Sequence, residues 1–353
     1  MHMADALLSP TVGTTLWAGT AALGGYASKK LKIQMDERMI PLMGVLGAFV
    51  FAAQMINFTI PGTGSSGHLG GGMILAILLG PHAAFLVMAS ILAVQALFFA
   101  DGGLLALGCN IWNLGFYPCY LVYPLIYGPL IGKSQNPKRI LFASLVAAIT
   151  ALQLGAFSVV LETLLSGKSE LPFGAFLLLM QPIHLAIGMV EGVVTAGIVN
   201  YVYRVRPEIL ESMADLRPLD SSVSMRKIVV TFIVLAMMTG AVFSWFASTH
   251  PDGLEWSIEK ITGQGELREA GHGIVPLLKG IQKKTAFLPG YDFRSPEQEQ
   301  ETDENAPAWP AIDGGTSAAG LIGGAIVLGA IALIGAGIRF FRGGNPVGGS
   351  SGR

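Results

Sequence analysis

The chain has 353 residues, of which 52% are apolar and 13% charged, with a mean hydropathy of +0.58 and a formal net charge of −1. A soluble domain carries about 25% charged residues, so the composition excludes an ordinary soluble enzyme and implies a protein embedded in membrane lipid. The near-zero charge speaks against nucleic acid as a partner.

The N-terminal stretch MHMADALLSP has no basic leader and no small-residue cleavage site. The expectation is that Met1 is retained with a free amino group. Apolar segments then follow at 11–28, 39–60, 71–100, 104–131, 140–165, 173–203, 228–248 and 318–338. Each approaches or exceeds the roughly 20 residues that a bilayer crossing needs. The third is too long for one upright helix. Gly80-Pro81 marks a break within it, because proline removes a donor and clashes with the preceding turn. That division gives nine helices; a break at Pro118 or Pro124 in the next segment would give the same parity. Basic residues gather in KKLKIQMDER (29–38), in KSQNPKR (133–139), at Arg204, Arg206, Arg217, Arg226 and Lys227, and in the terminal RFFR. Cationic loops stay cytoplasmic, and all four fall on that side if the N-terminus lies outside and the C-terminus inside. Cys109 and Cys119 share one apolar segment and read as packing residues rather than a disulfide.

The fold class is therefore an all-α membrane protein in two parts. Residues 1–215 hold about seven helices. Residues 216–342 form a two-helix unit with an outside segment at 250–317, which contains PDGLEWSIEK and the acidic run EQEQETDEN, read as a solvated surface. The last helix is rich in glycine and alanine, which permits close helix contact but equally suits a plain anchor. Residues 343–353 read as a flexible tail.

Several residues are candidates for chemistry. A nucleotide-hydrolysing loop needs G-x-x-x-x-G-K-[ST]; GPLIGKS (128–134) falls short because Tyr127 occupies the first glycine position, so no bound nucleotide is expected and Lys133 reads as a snorkelling side chain at a helix end. Among the six histidines, His250 and His272 lie in the outside segment and read as exposed, and His82 reads as structural. His184 and Glu191 are seven residues apart, two helical turns, and share a face; they form either a clasp with each other or a functional pair. His68 projects from the glycine-rich loop PGTGSSGHLGGG (61–72). The Met1 amine, the His2 amide nitrogen and His2 Nδ1 close one five-membered and one six-membered chelate ring without strain. A fourth nitrogen from His68 completes a plane, which suits Ni(II) or Cu(II). Such binding weakens at low pH, since the amide must lose its proton.

The order MHxxDxxLSP, then FVFAAQMINFTIPGTGSSGHLGGGMILAILLGPHAAFLVM, then QALFFADGGLLALGCNIWN resembles the CbiM/NikM family, the substrate-binding membrane components of energy-coupling-factor transporters for cobalt and nickel. The resemblance covers about residues 1–205. The second unit, with PDGLEW at 251–256, looks like the accessory component NikN/CbiN fused in the same chain. The resemblance implies Ni(II) or Co(II) as transported substrate, a coupling membrane protein and ATPase subunits as partners, and Met1, His2 and His68 as metal ligands. Asp5, Asn57, Asn110 and Asn113 are candidates to orient the ligands. Ala6 departs from the family's glycine after the aspartate. Two other readings stand beside this one: a proton-coupled secondary metal carrier using His184 and Glu191, and an intramembrane enzyme, for which no H-E-x-x-H set appears.

Overall fold

Within a bilayer there is no water to satisfy the backbone, so long apolar segments close their hydrogen bonds internally as helices. The computed structural model describes residues 2–34, 37–132, 136–168, 171–214, 224–264, 267, 273–293 and 309–343. Met1, Lys133, Arg217, His272, the acidic run 297–305 and the tail from 344 lie outside the described residues.

Helix α1 (Pro10–Gln34) and helix α2 (Met39–Gln54) lead to a short antiparallel hairpin, β1 (Phe58–Ile60) and β2 (Ser65–Gly67), with Phe58 opposite Gly67. Helix α3 (Gly72–Leu79) and helix α4 (Pro81–Phe98) follow. The break falls at Gly80, whose φ of +75° and ψ of 165° only glycine adopts readily; Pro81 then opens α4, where its missing N–H costs nothing. Pro118 and Pro124 lie instead within a continuous run of widened, i→i+5 turns, Trp112–Tyr127, between α5 (Leu107–Ile111) and α6 (Gly128–Ile131). Asn136 caps α7 (Pro137–Ser166) by accepting from Arg139 N, and α8 (Phe173–Val205) returns alongside it. A short α9 (Pro207–Ala214) closes the first part.

Helices α7 and α8 meet through Gly188 and Gly192, one turn apart. A Cβ at Gly192 would lie 2.6 Å from Leu145 Cα, and one at Gly188 would lie 2.8 Å from Ile149 Cα. Backbones this close need small residues. Gly192→Val is expected to lower the stability of the detergent-solubilised protein by about 1–3 kcal/mol through overpacking, measured by thermal unfolding; unchanged unfolding would mean the helices do not meet there.

In the second part, α10 (Arg226–Ala241) and α13 (Gly314–Gly343) pack on α2, and the segment between them carries α11 (Gly253–Thr262) and α12 (Ile274–Thr285). The small residues of α13 serve contact: a Cβ on Gly320 would lie 2.6 Å from Gly240 Cα, and one on Gly335 would lie 2.7 Å from Ile40 Cδ1. Among the described residues five helical stretches are long and apolar enough to cross a membrane, namely Pro81–Phe98, Leu107–Ile131, Pro137–Ser166, Phe173–Val205 and Gly314–Phe340, and Met39–Gln54 is a shorter apolar helix. Cys109 and Cys119 are both buried free thiols. At one end of the bundle Arg339 reaches Glu37 in the α1–α2 turn at 3.6 Å. The hairpin, the N-terminal arm and α11 gather at the other.

Candidate metal site

Residues 2–9 do not trail from the bundle but run into it. Met3 N donates to Asn110 Oδ1 at 2.8 Å, and Asn110 Nδ2 donates back to Met3 O at 3.3 Å. Gly103 N also donates to Met3 O, at 3.0 Å, and Ala106 N donates to the buried Asp5 carboxylate at 3.0 Å. The sequence permits this because residues 102 and 103 are both glycine. A Cβ at Gly102 would lie 2.9 Å from Asn110 Nδ2, and one at Gly103 would lie 2.6 Å from Asp5 N. Gly102 also has φ +77°, a conformation that favours glycine.

The loop that carries His68 is pinned from below. Gly70 N and Gly71 N donate to the two oxygens of Glu191, at 2.6 and 3.1 Å. Gln54 Nε2 donates to Gly70 O at 2.8 Å, and Gln95 Nε2 donates to Gln54 Oε1 at 2.9 Å. Loop residues 65–72 are all buried, and amides buried this way need such partners. His68 Nδ1 lies 3.0 Å from Leu69 O. A ring nitrogen against a carbonyl must carry the proton, which leaves the lone pair on Nε2.

The arm and the loop bring His2 and His68 together. Their rings are parallel within 8° at a centroid distance of 5.0 Å. The His2 side chain and the His68 residue are each 8% exposed. Burial lowers the pKa of both imidazoles, most strongly at His68, and so keeps them in the neutral form that binds metals. His2 Nδ1 lies 3.2 Å from Asp101 Oδ1, and Asp101 Oδ2 accepts from the Tyr291 hydroxyl. His2 Nε2 is buried with no hydrogen-bond partner among the described residues. A chelate through Nδ1, as the sequence predicts, therefore needs the ring to leave the Asp101 carboxylate. Among the described residues no three His, Cys, Asp or Glu side chains converge.

The four predicted orienting residues take different places. Asn110 and Asp5 hold the arm, as above. Asn113 Nδ2 donates to Glu162 at 3.0 Å and lies 3.9 Å from Met3 Sδ, one layer below. Asn57 contributes its carbonyl, accepting from Ser248 N at 2.7 Å at the joint with the second part. His184 and Glu191 do not form the clasp considered from their spacing. His184 Nδ1 turns back to Met180 O at 2.8 Å, while Glu191 is taken by the loop amides, whose unmet donors are the stronger claim on a buried carboxylate. His82 bonds Tyr120 Oη at 2.9 Å, a packing role, and His250 is exposed.

The second part reaches the same place. Ser66 N donates to Pro251 O at 2.8 Å, and Ser66 Oγ donates to His250 O at 2.7 Å. Asp252 caps α11 by accepting from Leu254 N and Glu255 N at 2.8 and 2.9 Å, and Glu255 answers by accepting from Asp252 N at 3.3 Å, a capping box. This explains the D-x-x-E spacing in PDGLE. The glycine between them is required by contact: a Cβ on Gly253 would lie 2.5 Å from Ile183 Cγ2. His68, His184, Asp252 and Gly253 share the lining of a cavity of about 10 Å³, room for about one water. The sequence reading did not single out Asp101, Gln95, Asp252 or Tyr291. Asp101 opens the DGG run and Asp252 the PDGLE run, so both had a local signal, whereas Gln95 and Tyr291 had none.

Residues 2–209 match the family described as "Cobalt uptake substrate-specific transmembrane region", and residues 226–340 match the "PDGLE domain". A fused nickel transport protein NikMN of Rhodobacter capsulatus is 32% identical over 225 residues, which is 60% of this chain and 64% of that protein. A cobalt transport protein CbiM of Geobacter sulfurreducens is 29% identical over 280 residues, 75% of this chain and 78% of its own length. A crystal structure of a transition metal transporter superposes with a TM-score of 0.53 at 30% identity, covering 62% of this chain and all of that one. Those proteins are named for metal transport and not for catalysis. With its buried imidazole pair at one end of a helical bundle and a PDGLE unit docked there, the chain belongs to the family of cobalt uptake substrate-specific transmembrane regions, and is a multi-pass membrane transport protein of the nickel and cobalt class, not an enzyme.

Proposed function

We propose that the chain is the substrate-capturing subunit of an energy-coupling-factor importer. It takes Ni(II) or Co(II) at the outer face, where the N-terminus lies, and hands it on through a coupling membrane protein and ATPase subunits. The ion is held by the Met1 amine, the His2 amide nitrogen and Nδ1, and the His68 imidazole. The observation that carries this reading is the parallel, buried pairing of His2 with His68 on an arm and a loop that are each fixed by hydrogen bonds. Four nitrogens in a plane favour Ni(II) over Co(II). The coupling test is uptake of radioactive nickel or cobalt by cells producing the chain with or without the ATPase and coupling subunits. Uptake only with all of them is expected, and equal uptake by the chain alone under a proton gradient would establish the secondary carrier instead. That alternative would have to free Glu191 from the amides of Gly70 and Gly71.

The binding step has a proton signature. Burial lowers both imidazole pKa values, so the imidazoles give up fewer protons on binding than exposed ones would. The protons displaced come from the amine and the amide, about two per ion. Affinity is expected to rise with pH with a slope near that number between about pH 6 and 8, measured by titration calorimetry in buffers of different ionisation enthalpy. A slope of zero would rule out the backbone donors.

A further inference from the structure

Helix α12 presents three distinct faces. At about 100° per residue, Val275, Leu278 and Gln282 fall together. This face meets the protein: Val275 is buried, and Gln282 Nε2 donates to Ala96 O at 2.9 Å and to Gly102 O at 2.8 Å. A second face, about a quarter-turn away, holds Lys279 and Lys283, both exposed. The third holds Ile274, Leu277 and Ile281, which are 40%, 65% and 42% exposed. An apolar stripe of this kind is unfavourable on a helix in water.

The height of α12 says what covers that stripe. Thr285 Oγ1 donates to Leu97 O at 2.7 Å. Ala96 and Leu97 belong to the last turn of α4, a membrane-length helix, so α12 is tied to the level where a spanning helix leaves the hydrocarbon. Exposed aromatics lie at the same end of the bundle: Phe287 and Phe293 just beyond α12, and Trp309, whose indole N–H donates to Phe246 O at 3.4 Å. Tryptophan and tyrosine concentrate at the headgroup level, a preference that Trp309 fits.

We propose that α12 is an interfacial helix, with the Ile274–Leu277–Ile281 stripe lying in the lipid headgroup layer on the side of the membrane where His2 and His68 sit. Its protein face is latched to α4 and its lysine pair faces water. This arrangement is independent of the metal chemistry proposed above. It seats the segment that runs on to Tyr291, the donor to Asp101, directly on the bilayer.

The test places a spin label at Leu277→Cys and, separately, at Ile281→Cys, Lys279→Cys and Lys283→Cys, in the full chain reconstituted in phospholipid nanodiscs. The unsubstituted chain serves as the blank for Cys109 and Cys119. Power saturation compares collision with oxygen, which partitions into lipid, and with chromium oxalate, which stays in water. At 277 and 281 oxygen accessibility should exceed chromium oxalate by about threefold or more, with the order reversed at 279 and 283. Chromium oxalate access at 277 and 281 equal to that at 279 and 283 would overturn the proposal. So would poor access to both reagents at 277 and 281, which would mean that protein and not lipid covers the stripe. If Leu277→Cys fails to fold, position 281 decides alone.

Discussion

Placing two residues ahead of Met1 is expected to weaken nickel binding by on the order of a hundredfold or more. The extension turns the terminal amine into an amide and removes one corner of the proposed chelate. Losing a residue that merely orients a ligand costs about 10–100-fold, and losing a ligand costs more. His68→Ala should fall in the same range, because it deletes the imidazole that stands parallel to His2 at 5.0 Å. Both are read by calorimetry on protein purified with its tag at the C-terminus. Unchanged affinity in the extended chain would remove the amine from the site and leave two imidazoles short of a coordination shell. Loss in the extended chain with retention in His68→Ala would keep the arm and dismiss the loop.

Asn110→Ala is the second large effect expected, although Asn110 is not among the proposed ligands. Its side chain holds both polar groups of the Met3 backbone, and its removal leaves the Met3 N–H buried without that acceptor. An orphaned donor of this kind costs about 1–3 kcal/mol, which converts to a loss in metal affinity of about 5–150-fold if the arm then leaves its place. Asn110→Asp keeps the acceptor for Met3 N and loses the donor to Met3 O, so an intermediate value is expected. The bound ion should retain its absorption spectrum in both variants, since the donor atoms are unchanged. A shifted spectrum would mean that Asn110 itself touches the ion.

Much of the fold was legible in the sequence. Spans 140–165 and 173–203 appear as Pro137–Ser166 and Phe173–Val205, because the length and apolarity that allow a crossing are properties of a continuous stretch. The division of 71–100 was legible for a similar reason, since Gly80 and Pro81 each act on their own backbone. The hairpin Phe58–Gly67 was not. Three-residue strands are too short for their alternation to be seen, and much of their stability comes from elsewhere, from Ser66 against Pro251 and from Thr59 against Ser248. The site was half legible. His2 and His68 stood out by position and by the glycines around them, whereas Asp101 acquires its meaning only when Tyr291, 190 residues later, donates to it. Spacing alone put His184 and Glu191 on one face but could not say that loop amides would claim the carboxylate.

The hydrogen bonds from Ser66 to Pro251 and His250, from Ser248 to Asn57, and from Gln282 to Ala96 and Gly102 have a consequence for how the two halves stay together. None of them depends on the peptide between 215 and 223. They are joined by the close approach of Gly240 and Gly320 that lets α10 and α13 lie together on α2. A chain severed in that connector would hold its pieces as a two-subunit complex, and the same halves encoded as separate polypeptides would find each other by the same contacts. Covalent fusion fixes their ratio at one to one and raises their local concentration, but the recognition between them is already written in the folded surfaces.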